Sequence, residues 1–297
     1  MKIVENYRNP IDEREILVQI VGNSNRLSLG VKRYVKDLTN SLQKAGVKLS
    51  SSKHDGGVVH AVSPVFLPNG KPFVVTVGDI APLSEGNSEW VNYGSLSARV
   101  YRLYFSQIVT RSFKCADAII ALSSQTAQEI YDIFPQHKEK VKMVSPGISG
   151  KFTPRERKPH QGIRIGYYRE MHPRMQKLIA ILTEKKLSFS LHSLTGTSED
   201  NIVDYYNSID YFIDFMPYRG FGYPLVEARA CGTSVILRKD AKIPYEVKRL
   251  SLLVEDEQDA ADKIASGVLQ PYVPVPFKIE KMTSETIRVY EKLLDLR

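Results

Sequence analysis

Residues Tyr218 to Ile236 read YRGFGYPLVEARACGTSVI, and this stretch sets narrow limits on the fold around it. It holds a glycine turn, a helix start, a helix stop and a strand start in immediate succession. Gly220 and Gly222 lack a Cβ, so the backbone there turns tightly and approaches a ligand closely. Pro224 suits the first turn of a helix, where its missing N–H would be unpaired anyway. The free N–H groups of that helix, with its positive dipole end, would face whatever lies beyond the glycines, a natural place for an anion. Glu227 lies about one turn in. Cys231-Gly232-Thr233 ends the helix, and Ser234-Val235-Ile236-Leu237 starts a buried strand. A sharp turn with no ligand has the same local pattern.

Short apolar runs alternate with helical patterns along the rest of the chain. Glu15 to Val21, Val58 to Val62, Phe73 to Val77, Ala118 to Leu122 and Val141 to Val144 read as buried strands. Helices are expected over Gly30 to Lys44 and Ser95 to Lys114, and Ser123 or Ser124 is placed to cap another. After the polar, proline-bearing segment Gly150 to Gly162, the best linker candidate, the alternation resumes. It gives strands at Ile163 to Gly166, Phe189 to Leu191 and Tyr211 to Phe215, with a helix around Leu178 to Leu182. Pro-rich Gln270 to Phe277 breaks the pattern before a last helix, roughly Lys281 to Leu296. Such alternation predicts parallel α/β sheets, and 297 residues suit two domains of ordinary size.

The 218–236 stretch closely resembles the signature of family 4 glycosyltransferases, E-G-F-G-L-P-x-L-E-A-M-A-C-G-x-P-V-I. The resemblance extends over most of the chain. It implies the GT-B fold, in which two Rossmann-like domains face each other across a cleft. The expected division is 1–155 for an acceptor-side domain, 156–275 for a nucleotide-sugar-binding domain, and 276–297 for a helix crossing back to the first. It also implies a nucleotide-diphosphate sugar as donor substrate, no further cofactor, and retention at the anomeric carbon.

Carried over residue by residue, the resemblance places Gly30, Arg219, Gly220, Phe221, Gly222, Tyr223, Pro224 and Glu227 on the donor. Glu227 takes the place of the carboxylate that accepts the ribose hydroxyls, which suits a group with two acceptor oxygens near a helix N-terminus. Leu29-Gly30-Val31-Lys32-Arg33-Tyr34 resembles the family's glycine loop, with Leu29 in place of its first glycine. Lys71 to Asp79 resembles a strand that ends in His-Asp; here Gly78 replaces the His and Asp79 remains. Arg169 and Arg174 match, by their spacing, the two cations that grip the diphosphate, a task that suits the guanidinium fork; Lys177 is the spare. Arg169, Arg174 and Asp79 are the expected catalytic groups. The first Glu of the signature is Arg219 here, a reversed charge beside the sugar. Turn, cap or solvated surface roles for Asp79 and these cations fit the same local chemistry.

The formal net charge of +8 favours polyanionic partners without choosing among them. Two rival readings follow. A nucleotide-binding protein without transferase activity is the pattern that losses at Gly78 and Arg219 would leave. A nucleic-acid-modifying protein would owe its binding to charge and lose it steeply with salt, but no nucleic-acid motif is present, and this reading ranks last. Ser95 to Lys114 carries arginines among apolar residues, so it reads either as a membrane-facing helix or as a core helix with a charged outer face. No metal is expected: the six histidines lack ligand spacing, no Asp-x-Asp clamp is placed, and Cys115 and Cys231 form neither a zinc site nor a disulfide framework. With no signal peptide or membrane-spanning run, a cytoplasmic protein is expected, with peripheral membrane contact open. Neither the acceptor nor the donor's base and sugar is legible.

Overall fold

The computed structural model describes residues 16–22, 29–50, 57–67, 70, 72–83, 96–157, 159–168, 172–198, 200–218 and 220–295. Two parallel sheets organise it. The first half runs β1 (Leu17–Val21), α1 (Leu29–Lys44), β2 (Lys48–Leu49), β3 (Val58–Ala61), β4 (Phe73–Val77), α2 (Leu96–Cys115), β5 (Ala118–Ala121), α3 (Ser124–Ile133), a 3₁₀ turn at Pro135–Lys140, and β6 (Val141–Met143). The second runs β7 (Ile163–Tyr167), α4 (Pro173–Glu184), β8 (Phe189–Ser193), α5 (Ile202–Ser208), β9 (Tyr211–Asp214), α6 (Tyr223–Ala230), β10 (Ser234–Arg238), α7 (Tyr245–Lys248), β11 (Leu252–Val254) and α8 (Glu257–Ala265). A last helix, α9 (Ile279–Leu294), follows.

Strand order is β2-β1-β3-β4-β5-β6 in the first sheet and β11-β10-β9-β7-β8 in the second. Both are the same doubly wound plan, in which the second strand lies outside the first and the rest extend the other way. Each sheet therefore has a switch point, β1/β3 and β7/β9, where connections leave on opposite faces and ligands of such sheets bind. β3, β4 and β5 are buried at every position, as strands covered on both faces must be. This is the GT-B architecture of two Rossmann-like halves.

The expected linker does not hang free. Arg155 N–H donates to Asn207 Oδ1 at 2.7 Å, Asn207 Nδ2 donates to Thr153 O at 3.1 Å, and Arg157 Nη2 donates to Thr233 Oγ1 at 3.1 Å, which straps the segment along the second half. Helix α9 packs against α1 of the first half. Its buried residues Met282, Thr286, Val289 and Tyr290 recur at the spacing of one helical face. Tyr290 Oη lies 2.6 Å from His60 Nδ1, and His60 Nε2 lies 2.6 Å from Thr76 Oγ1, so one buried polar chain joins α9, β3 and β4. A Cβ on Gly147 would fall 2.4 Å from Ile279 Cα, so only glycine admits the start of α9 so close.

Candidate functional site

The two switch points face one another. From the second sheet comes the segment after β9. Asp214 Oδ1 accepts the Met216 N–H at 3.0 Å, and Lys242 N–H donates to Pro217 O at 2.6 Å, which fixes the path toward the glycines. Gly222 has φ 80° and ψ 48°, a left-handed conformation that glycine adopts without strain, and it caps α6 with no side chain on the helix's first N–H groups. Phe221 is buried edge-on between Tyr223, at 5.1 Å, and Phe277, at 5.0 Å. The aromatic residues of the expected donor loop thus anchor it, and backbone and glycines line the crevice.

From the first sheet come Gly78-Asp79, after β4, and the start of α1, after β1. A Cβ on Gly220 would lie 2.9 Å from Gly78 O and 3.1 Å from Asp79 Oδ2; one on Gly30 would lie 3.5 Å from Tyr223 Cδ2. Gly220 is what lets the walls come together; at Gly30 a Cβ would make only an ordinary contact. Asp79 is open to solvent along the crevice, yet enough protein surrounds it that desolvation pushes its carboxyl upward, while the Ala81 N–H on Oδ1 at 3.1 Å pulls the other way. Three hydrogen bonds cross the crevice. Tyr218 Oη donates to Glu129 at 3.0 Å, and Ser124 gives its N–H, at 2.9 Å, and its hydroxyl, at 2.6 Å, to Glu246.

Glu227 lies at the centre of the contact, with a side chain only 1% exposed. Arg33 Nη1, from α1 of the opposite half, reaches Oε1 and Oε2 at 2.5 Å each, and Tyr206 Oη donates to Oε2 at 2.9 Å. Burial pushes the Glu227 carboxyl up; Arg33 and Tyr206 oppose it. Sequence reading quoted Arg33 only as part of a glycine loop, and nothing local to residue 33 points to a carboxylate 194 positions away.

The expected diphosphate cations gather elsewhere on the same edge. Arg174 sits in the first turn of α4, whose N-cap is His172, with Nδ1 accepting the Arg174 N–H at 3.3 Å. Arg174 Nη1 and Lys177 Nζ both reach Glu257, at 3.4 and 3.0 Å. Arg238, at the carboxyl end of β10, joins them at 3.4 Å and also pairs with Asp240 at 2.6 Å. Burial works to raise the Glu257 carboxyl, and Lys177 and Arg174 hold it below the usual range. Arg238 escaped the sequence reading; its one signal was an arginine ending a buried strand on the ligand-binding edge. Arg169 and Arg219 lie outside the described residues. Among the described residues no group of three or more His, Cys, Asp or Glu is placed to hold a metal ion, and no helix is long and apolar enough to cross a membrane.

The architecture defines a class before any individual likeness is considered: a two-sheet GT-B protein with a glycine-lined crevice between its halves. Solved structures share it. A glycosyltransferase from Rickettsia africae superposes with a TM-score of 0.62 at 12% identity, over 96% of this chain and 100% of that one. Sucrose-phosphate synthase from Thermosynechococcus elongatus gives 0.64 at 14%, over 96% and 100%. The Anabaena protein HepE, solved with UDP and glucose, gives 0.56 at 12%, over 95% and 99%. No protein-family model matches the sequence. No curated protein matches it either.

Proposed function

We propose that this chain is a glycosyltransferase that moves a sugar from a nucleotide-diphosphate donor to an acceptor with retention of anomeric configuration. The observation that carries the reading is the loop Gly220–Gly222 at the switch point of the second sheet. It delivers the start of α6 to a crevice whose far wall is Asp79 and the start of α1. The neighbours solved as glycosyltransferases support it, as does the match of residues 218–236 to the family signature.

In this reading the second half holds the donor. Arg169 and Arg174 meet the diphosphate, with Lys177 as the spare cation; Gly30, Arg219, Gly220, Phe221, Gly222, Tyr223 and Pro224 build the loops around it; Glu227 takes the ribose hydroxyls. The sugar's bond to the diphosphate breaks and the acceptor oxygen bonds to the same face of the anomeric carbon. The acceptor's proton passes to the departing diphosphate oxygen, so the missing histidine at Gly78 is not needed as a base. Cations and helix N-termini stabilise the charge that develops on the leaving group, and turnover is expected without a divalent metal. The division at 155/156 and 275/276 assigns the acceptor to the first half. We place the protein in the cytoplasm.

The test is a panel of UDP-, GDP- and ADP-sugars scored for thermal stabilisation and for hydrolysis, with and without chelator, and with NMR of the anomer formed. Stabilisation by one nucleotide class and an anomer matching the donor are expected. Binding without any turnover would leave the rival reading, a nucleotide-binding protein whose departures at Gly78 and Arg219 removed transfer. No binding to any member would end both readings.

A further inference from the structure

The pairing of Arg33 with Glu227 leaves the second residue no room for the role just given it. A carboxylate accepts about four hydrogen bonds. Here both oxygens are held by Arg33 at 2.5 Å, one also by Tyr206 at 2.9 Å, and almost nothing of the side chain is open to solvent. A ribose diol reaches Glu227 only if one partner withdraws. Tyr206 is fully buried and sits on α5 in the same half as Glu227, so it stays. Arg33 belongs to the other half and is 19% exposed. Rotation of the Arg33 side chain alone removes it and leaves the buried cluster shared by the two halves packed.

We propose that Arg33 is a nucleotide-binding residue that exchanges partners: its guanidinium leaves Glu227 for the donor diphosphate, and Glu227 is thereby freed for the ribose. The inference rests on the proposed function and assigns to that site a residue from the opposite half. Three features support it. Arg33 lies one turn into α1 at the carboxyl edge of its sheet, and Glu227 about one turn into α6 at the edge of the other, so both flank the same crevice. A guanidinium separated from a carboxylate matches diphosphate oxygens by the same fork geometry. The closed pairing also leaves a buried polar group unserved: the Tyr223 hydroxyl, among Tyr34, Asp37, Glu227 and Arg33, has no hydrogen-bond partner among the described residues. A buried hydroxyl in that condition is costly to the folded chain.

The experiment measures binding of UDP, GDP and ADP, and of uridine, guanosine and adenosine, by calorimetry. Wild type, Arg33→Gln, Arg33→Lys and Glu227→Gln are compared, and the quantity read is the preference for each diphosphate over its own nucleoside. Exchange requires the two residues to move it oppositely. Arg33→Gln should lower the preference about tenfold or more, Arg33→Lys should lower it less, and Glu227→Gln should raise it, because it releases Arg33 for the diphosphate, while the lost ribose acceptor weakens both ligands alike. If the glutamine variants at both positions shift the preference in the same direction, or leave it unchanged, the exchange is overturned and the pair is structural. If Arg33→Gln does not fold, the sign of the Arg33→Lys shift against that of Glu227→Gln decides in the same way. If wild type binds none of the diphosphates, the proposed function falls and takes this inference with it; if wild type binds them and the shifts do not oppose, only the inference falls.

Discussion

Arg174, Lys177 and Arg238 share one carboxylate, that of Glu257, and the sharing decides what a substitution there does. Removing Arg174 leaves Glu257 with two cations, so no buried charge is stranded, and a partly exposed pair is worth only about 0–1 kcal/mol. Arg174→Ala should therefore leave the melting temperature within about 4 °C of wild type. If the guanidinium grips the diphosphate, turnover with the best donor falls about tenfold or more, which is the loss of one charge-assisted hydrogen bond. Steady-state kinetics beside a thermal melt checks this. Full activity in Arg174→Ala with the loss appearing in Lys177→Ala would name Lys177 as the diphosphate cation. Individual residues were legible in the sequence where a local motif carried them, as with the glycine turn that ends at Gly222 and the helix start at Pro224. They were not legible where the partner lies in the other half: no spacing rule joins Arg33 to Glu227 or Tyr218 to Glu129.

Among the elements, β3, β4 and α9 are joined through His60. The ring is fully buried, and burial pushes its imidazole from 6.5 down to about 3. Between those values the unfolded chain binds a proton at this histidine and the folded chain does not. Stability therefore rises with pH across the window and is lost as pH falls from 6.5 toward 3. At about 1.36 kcal/mol per pKa unit the loss is on the order of 5 kcal/mol at the acid limit. Denaturant melts from pH 7 to pH 4 should show this slope in wild type and a flatter one in His60→Gln. Equal slopes would assign the acid sensitivity to other groups. The sequence showed the long buried strands and the last helix to within about two residues, because period and composition agree there. It did not show β2, α5, β11 or α8. β2 is two residues long, and α5 and α8 expose polar faces whose apolar stripes are short. Ser123, rather than Ser124, caps α3, with its hydroxyl accepting the Thr126 N–H.

For the whole molecule, the surface outside the crevice adds one expectation. Helix α2 buries Phe105, Val109 and Phe113 and leaves Val100, Tyr101, Leu103 and Tyr104 exposed near Arg99 and Arg102. Aromatic and aliphatic side chains beside arginines suit an anionic lipid interface, and the net charge of +8 acts in the same direction. We propose that this face makes peripheral membrane contact. Sedimentation with vesicles should give binding to phosphatidylserine-containing bilayers and little to phosphatidylcholine alone, and Leu103→Ser with Tyr104→Ser should weaken it at unchanged melting temperature. Equal binding to both bilayers would remove the proposal.

Helix α9 has a consequence for how the molecule is made. It leaves the ribosome after the whole of the second half, yet it completes the first half: Tyr290 closes on His60, and Met282 packs beneath Gly147. The first sheet can hydrogen-bond its strands early in synthesis, but the groove along α1 stays open until the second half has been built. The two halves are therefore not beads that mature in order. The second is an insertion, in time as well as in space, between the first and the piece that seals it.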